Sequence, residues 1–590
     1  MNYHEEDILG KAFDSRLMKR LLTYVWPFKS IVLLAFLILL VIAAAELAGP
    51  YIIKIAIDRD IADGNVQSLL QLCLLYLMIL FVRALGEYSH RYLTSWLGQH
   101  VMKNMRLQLF SHIQNLPLSY FDRNPVGRLV TRVTNDIETL NELLSSGLVA
   151  ILGDFVVLFG IILVLLNLNP ELALITFIVL PPMILVTILF RSRIRKVYRK
   201  IRIRIARINS FLQENIAGMS TIQIFNRQEE NQKRFTPLND QHRQAHLQSI
   251  RYYAFFYPLV SLLTSISTAC ILWYGGIRVL ETSLSLGILV AFMQYVRRFF
   301  QPLQDLADKF NVMQAAMASS ERVFALLDEP QQQSFHPPRH VLPPEPGKIE
   351  FKNVSFSYDG QEYVLKNVSF TIHPGEKVAV VGATGAGKTT IINLINRMYE
   401  VTSGEITLDD VNIATIPLAE LRSRIGVVLQ DVFVFSGSPA DNISLSSSDI
   451  SQEDVIRAAK RVNVHKFIES LPNGYQHIIK ERGSNLSVGQ KQLLSFARAL
   501  AYNPELLILD EATSSVDTAT ELLISKAIHE LMLNRTSIII AHRLSTIKDV
   551  DRIIVLHKGH IKEIGTHEAL LAQKGVYYRL YQLQFKSEAA

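Results

Sequence analysis

Six long apolar segments constrain this chain more than anything else in it. They run near 31–57, 68–89, 144–166, 171–192, 254–275 and 283–302. Each is long enough to cross a bilayer, which takes about 20 residues of helix. Lipid offers no partner to backbone N–H and C=O groups, so such segments are helical. The connections between them alternate in character. Those near 59–67, 167–170 and 276–282 are short, while 90–143 and 193–253 are long and rich in Arg and Lys, as in RSRIRKVYRKIRIRIAR at 191–207. The positive-inside rule places both long connections, and both ends of the chain, in the cytoplasm. They keep helical patterning with few breakers, so the spanning helices are expected to continue well beyond the bilayer. Each connection turns near its middle, at SYFDRNPVGR (119–128) and at ENIAGMSTIQ (214–223). Pro125 and Gly127 break the first. Short cross-pieces at these turns suit docking on a soluble domain.

The apolar excess (49% hydrophobic residues) lies almost wholly before residue 330, so a membrane half precedes a soluble half. The net charge of +7 fits basic cytoplasmic loops rather than nucleic-acid binding. Residues 14–29, with Leu17, Leu21, Leu22 and Val25 at helical spacing and Trp26 beyond, suit an interfacial helix on the cytoplasmic leaflet. The polar N-terminus lacks the basic and apolar regions of a signal peptide. Cys73 and Cys270 both sit in apolar runs, and neither a disulfide framework nor a zinc spacing exists. Glu46, Arg83, Glu87 and Asp154 are ionisable residues inside spans. A charge at the bilayer centre costs about 2.5–3.5 kcal/mol, so these groups are expected to pair or to face the bundle interior. Arg83 and Glu87 stand four residues apart and suit pairing on one helix face. Glu46 and Asp154 have no local partner, which leaves a polar contact between helices or a place in a transport cavity. Gln294, Tyr295, Arg297 and Arg298 in the last span are further cavity or interface candidates.

A Pro- and Gln-rich linker, 330–348, marks the change of character. Beyond it IEFKNVSFSY (349–358) and VLKNVSFTI (364–372) alternate like antiparallel strands. Then KVAVV (377–381) leads into Gly382-Ala383-Thr384-Gly385-Ala386-Gly387-Lys388-Thr389, and Thr390 begins a helical run. This is G-x-x-x-x-G-K-[ST] in its strand–loop–helix context, a P-loop. Gly385 and Gly387 let backbone N–H groups curl round phosphate oxygens, and the helix N-terminus adds partial positive charge. Lys388 is expected to reach the β- and γ-phosphates of ATP, and Thr389 to hold Mg2+. Four further signals follow. Leu506–Leu509 ends in Asp510 and Glu511, one acid to hold Mg2+ and one to take a proton from the attacking water. Gln430, after an apolar run, can sense Mg2+ or that water. His542, after a third run, can contact the γ-phosphate. Tyr358, ending the first strand, is placed to stack on a nucleobase.

LSVGQKQ at 486–492 opens a helix and makes the set specific. The order Tyr358, P-loop, Gln430, LSVGQ, LLILDEATSSVD and His542 resembles the nucleotide-binding domain of an ABC transporter. The six spans, with YFDRNPVGRLVTRVTND and ENIAGMSTIQIF in their long connections, resemble the exporter-type transmembrane domain. The likeness covers nearly the whole chain and is greatest to multidrug-resistance-like half-transporters. It implies an all-α membrane domain of six helices (1–329), the linker (330–348) and a cytoplasmic α/β ABC ATPase domain (349–590), with the whole in a bacterial inner membrane. It further implies that two chains pair head to tail and sandwich two ATP molecules between P-loop and signature. Ser487, Val488, Gly489 and Gln490 would meet the ATP held by the partner. Ser514–Asp517 matches the D-loop between sites, with Asp517 its acid, and Glu481-Arg482-Gly483 matches the segment that touches the partner's coupling helices.

Val488 departs from the family's usual LSGGQ. A β-branched residue resists positive φ and adds bulk near phosphate. An impaired signature beside an intact Glu511 points to a heterodimer, and the alternative is a homodimer that tolerates Val488. The expected activity is ATP-driven export of hydrophobic or amphipathic small molecules, with lipid flipping as the nearest alternative. The spans argue against a soluble ABC ATPase acting on nucleic acid. Glu511 and His542 favour a turnover pump over an ATP-gated channel.

Overall fold

The computed structural model describes residues 14–332, 347–510, 518–540 and 547–584. The chain divides into two units. One comprises Met1–Gln114 and Val126–Glu329; the other comprises Asn115–Pro125 and Pro330–Ala590. The short segment 115–125 thus belongs with the second unit, although its sequence neighbours belong to the first.

The first unit is helical. Asp14 caps α1 (Ser15–Val25) by accepting from the Arg16 N–H at 2.8 Å. Trp26 beyond it is 71% exposed. Next come α2 (Lys29–Ile55) and α3 (Val66–Gln114). The cross-piece α4 (Leu118–Arg123) follows, and lies in the other unit. Then α5 (Val126–Thr131), α6 (Ile137–Glu142) and α7 (Leu148–Leu168) join through π-helical turns at Arg132–Asp136 and Leu143–Gly147. After α8 (Pro170–Phe177) come α9 (Leu180–Ala217), the cross-piece α10 (Met219–Ile224), α11 (Gln228–Leu280) and α12 (Leu286–Asp328). At 53 residues α11 is about 80 Å long, far more than a bilayer needs. The expected extension of spanning helices well beyond the bilayer is therefore present. Among the described residues five helices are long and apolar enough to cross a membrane, α1–α2, α3, α7, α8–α9 and α11. The expected sixth span, near 283–302, falls in α12, which is not among the five.

The intramembrane charges find partners. The Arg83 Nε donates to Glu87 at 2.9 Å on the same helix, and Glu46 of α2 approaches Arg83 at 4.0 Å. Lys309 of α12 pairs with Asp154 of α7. Tyr295 is fully buried and donates to the Leu47 carbonyl at 2.5 Å, while Arg298 donates to that of Glu46. These contacts tie α12 to α2 and α7, so Glu46, Asp154, Tyr295 and Arg298 act as polar contacts between helices. Asp136 is buried; it accepts from the Ser319 hydroxyl at 2.9 Å and from Arg322 at 2.5 Å, which fastens α12 at its far end.

The second unit holds two sheets. Strands β1 (Ile349–Phe356), β2 (Leu365–Ile372), β4 (Ser403–Leu408) and β5 (Val411–Asn412) make an antiparallel sheet in the order β2-β1-β4-β5. The larger sheet contains β3 (Lys377–Gly382), β6 (Ile425–Val428), β7 (Leu506–Asp510), β8 (Thr536–Ile540), β9 (Arg552–His557) and β10 (His560–Gly565). Its order is β10-β9-β3-β8-β7-β6, parallel except at the β9–β10 hairpin. Strands β7 and β8 are buried throughout, the pattern of a sheet covered on both faces.

Alternate strand residues feed two cores. Ala379, Val381, Leu507, Leu509 and Ile539 face one. Val378, Val380, Leu506, Ile508 and Ile538 face the other, with β1 and β2. The helices are α13 (Lys388–Ile395), α14 (Leu418–Arg424), α15 (Pro439–Ser444), α16 (Gln452–Arg461), α17 (His465–Ser470), α18 (Val488–Ala501) and α19 (Thr518–Met532). Two short helices, His567–Gln573 and Val576–Gln584, follow the last strand.

Candidate nucleotide site

The site forms along one edge of the larger sheet. Because β3, β6, β7 and β8 are parallel, their carboxyl ends lie together: Val380 pairs with Ile540, Ile540 with Asp510, and Leu509 with Val428. Open α/β sheets bind ligands at this edge. The P-loop leaves β3 at Gly382 and enters α13 at Lys388. Gly385 and Gly387 take φ of +79° and +102°, the left-handed region that side chains resist. A Cβ at Gly387 would also meet Leu365 Cδ2 at 2.7 Å, so space and backbone both require glycine there. Ala386 is buried beneath the loop, while Ala383, Thr384 and Thr389 are exposed. Thr389 is therefore accessible at the start of α13, as a metal ligand needs.

Lys388 is buried and donates through Nζ to the Gly382 carbonyl at 2.7 Å and that of Ala383 at 3.2 Å. Burial pushes its pKa down, against the opposing pull of Asp510. Asp510, at the end of β7, is buried too; burial pushes its carboxyl up, against Lys388, and Asp431 adds to the rise. A buried ammonium and a buried carboxyl at one strand edge are each costly without a counter-ion. That donor set fits a phosphate for Lys388 and a divalent cation for Asp510. Gln430 lies exposed two residues beyond β6, on the same edge. Glu511 and His542, with the D-loop and Asp517, lie outside the described residues. Glu511 directly follows β7, and His542 stands two residues after β8.

The signature opens α18. Ser487 is its N-cap in a reciprocal capping box: the Ser487 N–H donates to Gln490 Oε1 at 2.9 Å, and the Gln490 N–H to Ser487 Oγ at 3.2 Å. Val488 is the first helical residue and does not take positive φ. The expected backbone penalty at Val488 therefore does not arise, because a helix start asks for right-handed φ that valine adopts freely. Its bulk remains, with the side chain 55% exposed, while Gly489 is buried. Helix N-termini favour anions, so the face is suited to phosphate.

Tyr358 is 40% exposed. Its hydroxyl lies 3.1 Å from that of Thr390, which is itself buried on α13, so the tip of the ring is tethered to the P-loop helix. Sequence reasoning named both residues but missed Tyr399, whose ring stands edge-on to Tyr358 with centroids 5.0 Å apart. A single tyrosine between a helix and a strand carries no signal of this.

Comparison with known proteins agrees with this arrangement. The ABC transporter transmembrane region family matches residues 32–303, and the ABC transporter family matches residues 365–514. The uncharacterized ABC transporter ATP-binding protein YknV of Bacillus subtilis is 39% identical over 587 residues, 99% of this chain and 97% of its own length. The ATP-dependent lipid A-core flippase of Syntrophus aciditrophicus is 36% identical over 572 residues, 97% and 95% of the two chains. The solved structure of a bacterial Atm1-family ABC exporter with ATP bound superposes with a TM-score of 0.79 at 27% identity, covering 94% of this chain and 98% of that one. The chain belongs to the ABC transporters, as an exporter half-transporter that carries its transmembrane and ATP-binding parts on one polypeptide and couples ATP hydrolysis to transport.

Proposed function

We propose that this chain is one half of a dimeric, multidrug-resistance-like exporter that moves hydrophobic or amphipathic small molecules across a bacterial inner membrane. Both termini and the nucleotide domain are cytoplasmic in this reading. Residues 1–329 form the transmembrane domain, 330–348 the linker and 349–590 the nucleotide domain. The observation that carries it is the meeting of Lys388, Asp510 and Gln430 on one sheet edge, beside strand ends that lead straight to Glu511 and His542.

Tyr358 stacks on the adenine, and the loop Gly382–Thr390 wraps the phosphates. Lys388 holds the β- and γ-phosphates. Thr389, Gln430 and Asp510 would hold Mg2+, which neutralises phosphate charge when bound. Glu511 accepts a proton from the water whose oxygen attacks the γ-phosphorus; the bond to the bridging oxygen breaks and ADP leaves. His542 contacts the γ-phosphate. Ser487, Val488, Gly489 and Gln490 complete the partner's site, and Asp517 lies between the two sites.

The partner is a second half-transporter, and a different chain is favoured because Val488 keeps its bulk at the phosphate-facing helix start. The cross-piece α10 supports pairing: Ile224 and Phe225 at its end are 75% and 68% exposed, which suits the partner's nucleotide domain. ATP binding closes the two nucleotide domains, the cross-pieces pass closure to the long helices, and hydrolysis resets the cavity.

Glu511→Gln keeps ATP binding and slows hydrolysis by about 100-fold or more, the usual worth of a general base. Wild-type turnover in that variant would remove Glu511 from the role. A second reading, a homodimeric lipid flippase, is supported by the 36% identity to a lipid A-core flippase.

A further inference from the structure

The cross-piece α4 is tied to the nucleotide unit by Tyr399, whose hydroxyl donates to Asp122. The two residues are 277 positions apart in sequence. The Tyr399 ring packs against Phe356 of β1, with centroids 5.8 Å apart, and edge-on to Tyr358 at 5.0 Å and 87°. Phe356 is buried, whereas Tyr358 is 40% exposed. Tyr358 is held in turn by Thr390 at 3.1 Å and Asn393 at 3.4 Å on the P-loop helix. Burial, and the Asp122 carboxylate beside it, push the Tyr399 phenol above its ordinary pKa, so it remains a donor at physiological pH. Core packing alone does not account for this arrangement. The polar end of Tyr399 serves a distant segment, and one wall of its pocket is the aromatic placed to receive a base.

We propose that Tyr399 is a positioning residue that makes the seating of α4 depend on a nucleobase stacked on Tyr358. The inference rests on the reading of Tyr358 as the base platform. A base stacked on Tyr358 fixes the tilt of that ring. An edge-to-face neighbour at 5.0 Å must follow the tilt, because aromatic pairs hold specific geometries. Tyr399 then sets the line from its hydroxyl to Asp122, and with it the seat of α4. The coupling is reciprocal, so a seated α4 strengthens base binding by the same factor.

The test compares MgATP with magnesium tripolyphosphate, which has no base, on the full-length protein. Hydrogen exchange over residues 115–125 and the affinities of both ligands are measured. In the wild type MgATP slows exchange in α4 by about fivefold or more, the lower end of ordinary coupling between sites, and tripolyphosphate does not. Tyr399→Phe keeps the ring but cannot donate. It loses the ATP-dependent protection and weakens ATP binding by the same factor, with tripolyphosphate affinity unmoved. Asp122→Asn retains an acceptor and restores wild-type behaviour; Asp122→Ala does not. Equal protection by both ligands, or full protection in Tyr399→Phe, would overturn the relay. Tyr358→Ala separates the two ideas. Unchanged ATP affinity there would overturn the platform reading and the relay with it. Weakened ATP affinity, beside wild-type protection that ignores the base, would overturn the relay alone.

Discussion

Asp510 shows how a binding site stores unfavourable electrostatics. It is buried at the end of β7, and burial outweighs the attraction of Lys388, so its carboxyl titrates above the ordinary range. A raised carboxyl pKa means that the native state favours the protonated form. The native penalty is absent below the unfolded value, grows as pH rises through the raised one, and is complete above it. Asp510→Asn should therefore raise the thermal midpoint of the nucleotide-free protein at pH 7. The gap should close as pH falls below the carboxyl range, and a gap that ignores pH would contradict this account. The P-loop residues were legible in sequence because each is forced by sterics or by phosphate chemistry. Val488 was legible as a departure, but its backbone was not: the capping box of Ser487 and Gln490 makes position 488 a helix start, where valine is unstrained. Tyr399 was not legible, since its partners lie in two distant segments, around Asp122 and at the end of β1.

At the scale of elements, the length of the helices beyond the bilayer could be read from apolar runs followed by basic ones. The sixth apolar segment lies in α12, where Arg298 donates to the Glu46 carbonyl. Contacts between helices escaped the sequence because helical periodicity gives a face and no partner. Asp154 meets Lys309, and Asp136 meets Arg322, across more than 150 positions. Asp136 is 5% exposed and fastens the end of α12 to the π-helical turn that contains it. Asp136→Ala removes a charged acceptor from Arg322 and Ser319 and should cost about 2 kcal/mol. Asp136→Asn, which keeps an acceptor, should cost less. Thermal unfolding of the three proteins measures this, and equal midpoints for Asp136→Ala and wild type would contradict it.

For the whole molecule, the proposed dimer has P-loop and signature serve different ATP molecules. Helix α18 presents Ser487 and Val488 outward, while Lys388 and Asp510 gather at the sheet edge. Likewise α4 is seated on the chain's own nucleotide unit, whereas α10 carries exposed Ile224 and Phe225. A partner chain would complete both. The order of motifs made such pairing readable in advance, but which chain fills the role depends on surfaces that one sequence does not contain. The most direct measurement is the intact mass of the Glu511→Gln complex, purified from native membranes through a tag on this chain in the presence of MgATP. The account predicts two half-transporter chains, this one and a different partner, with two ATP molecules retained. A single chain that retains ATP by itself would contradict it.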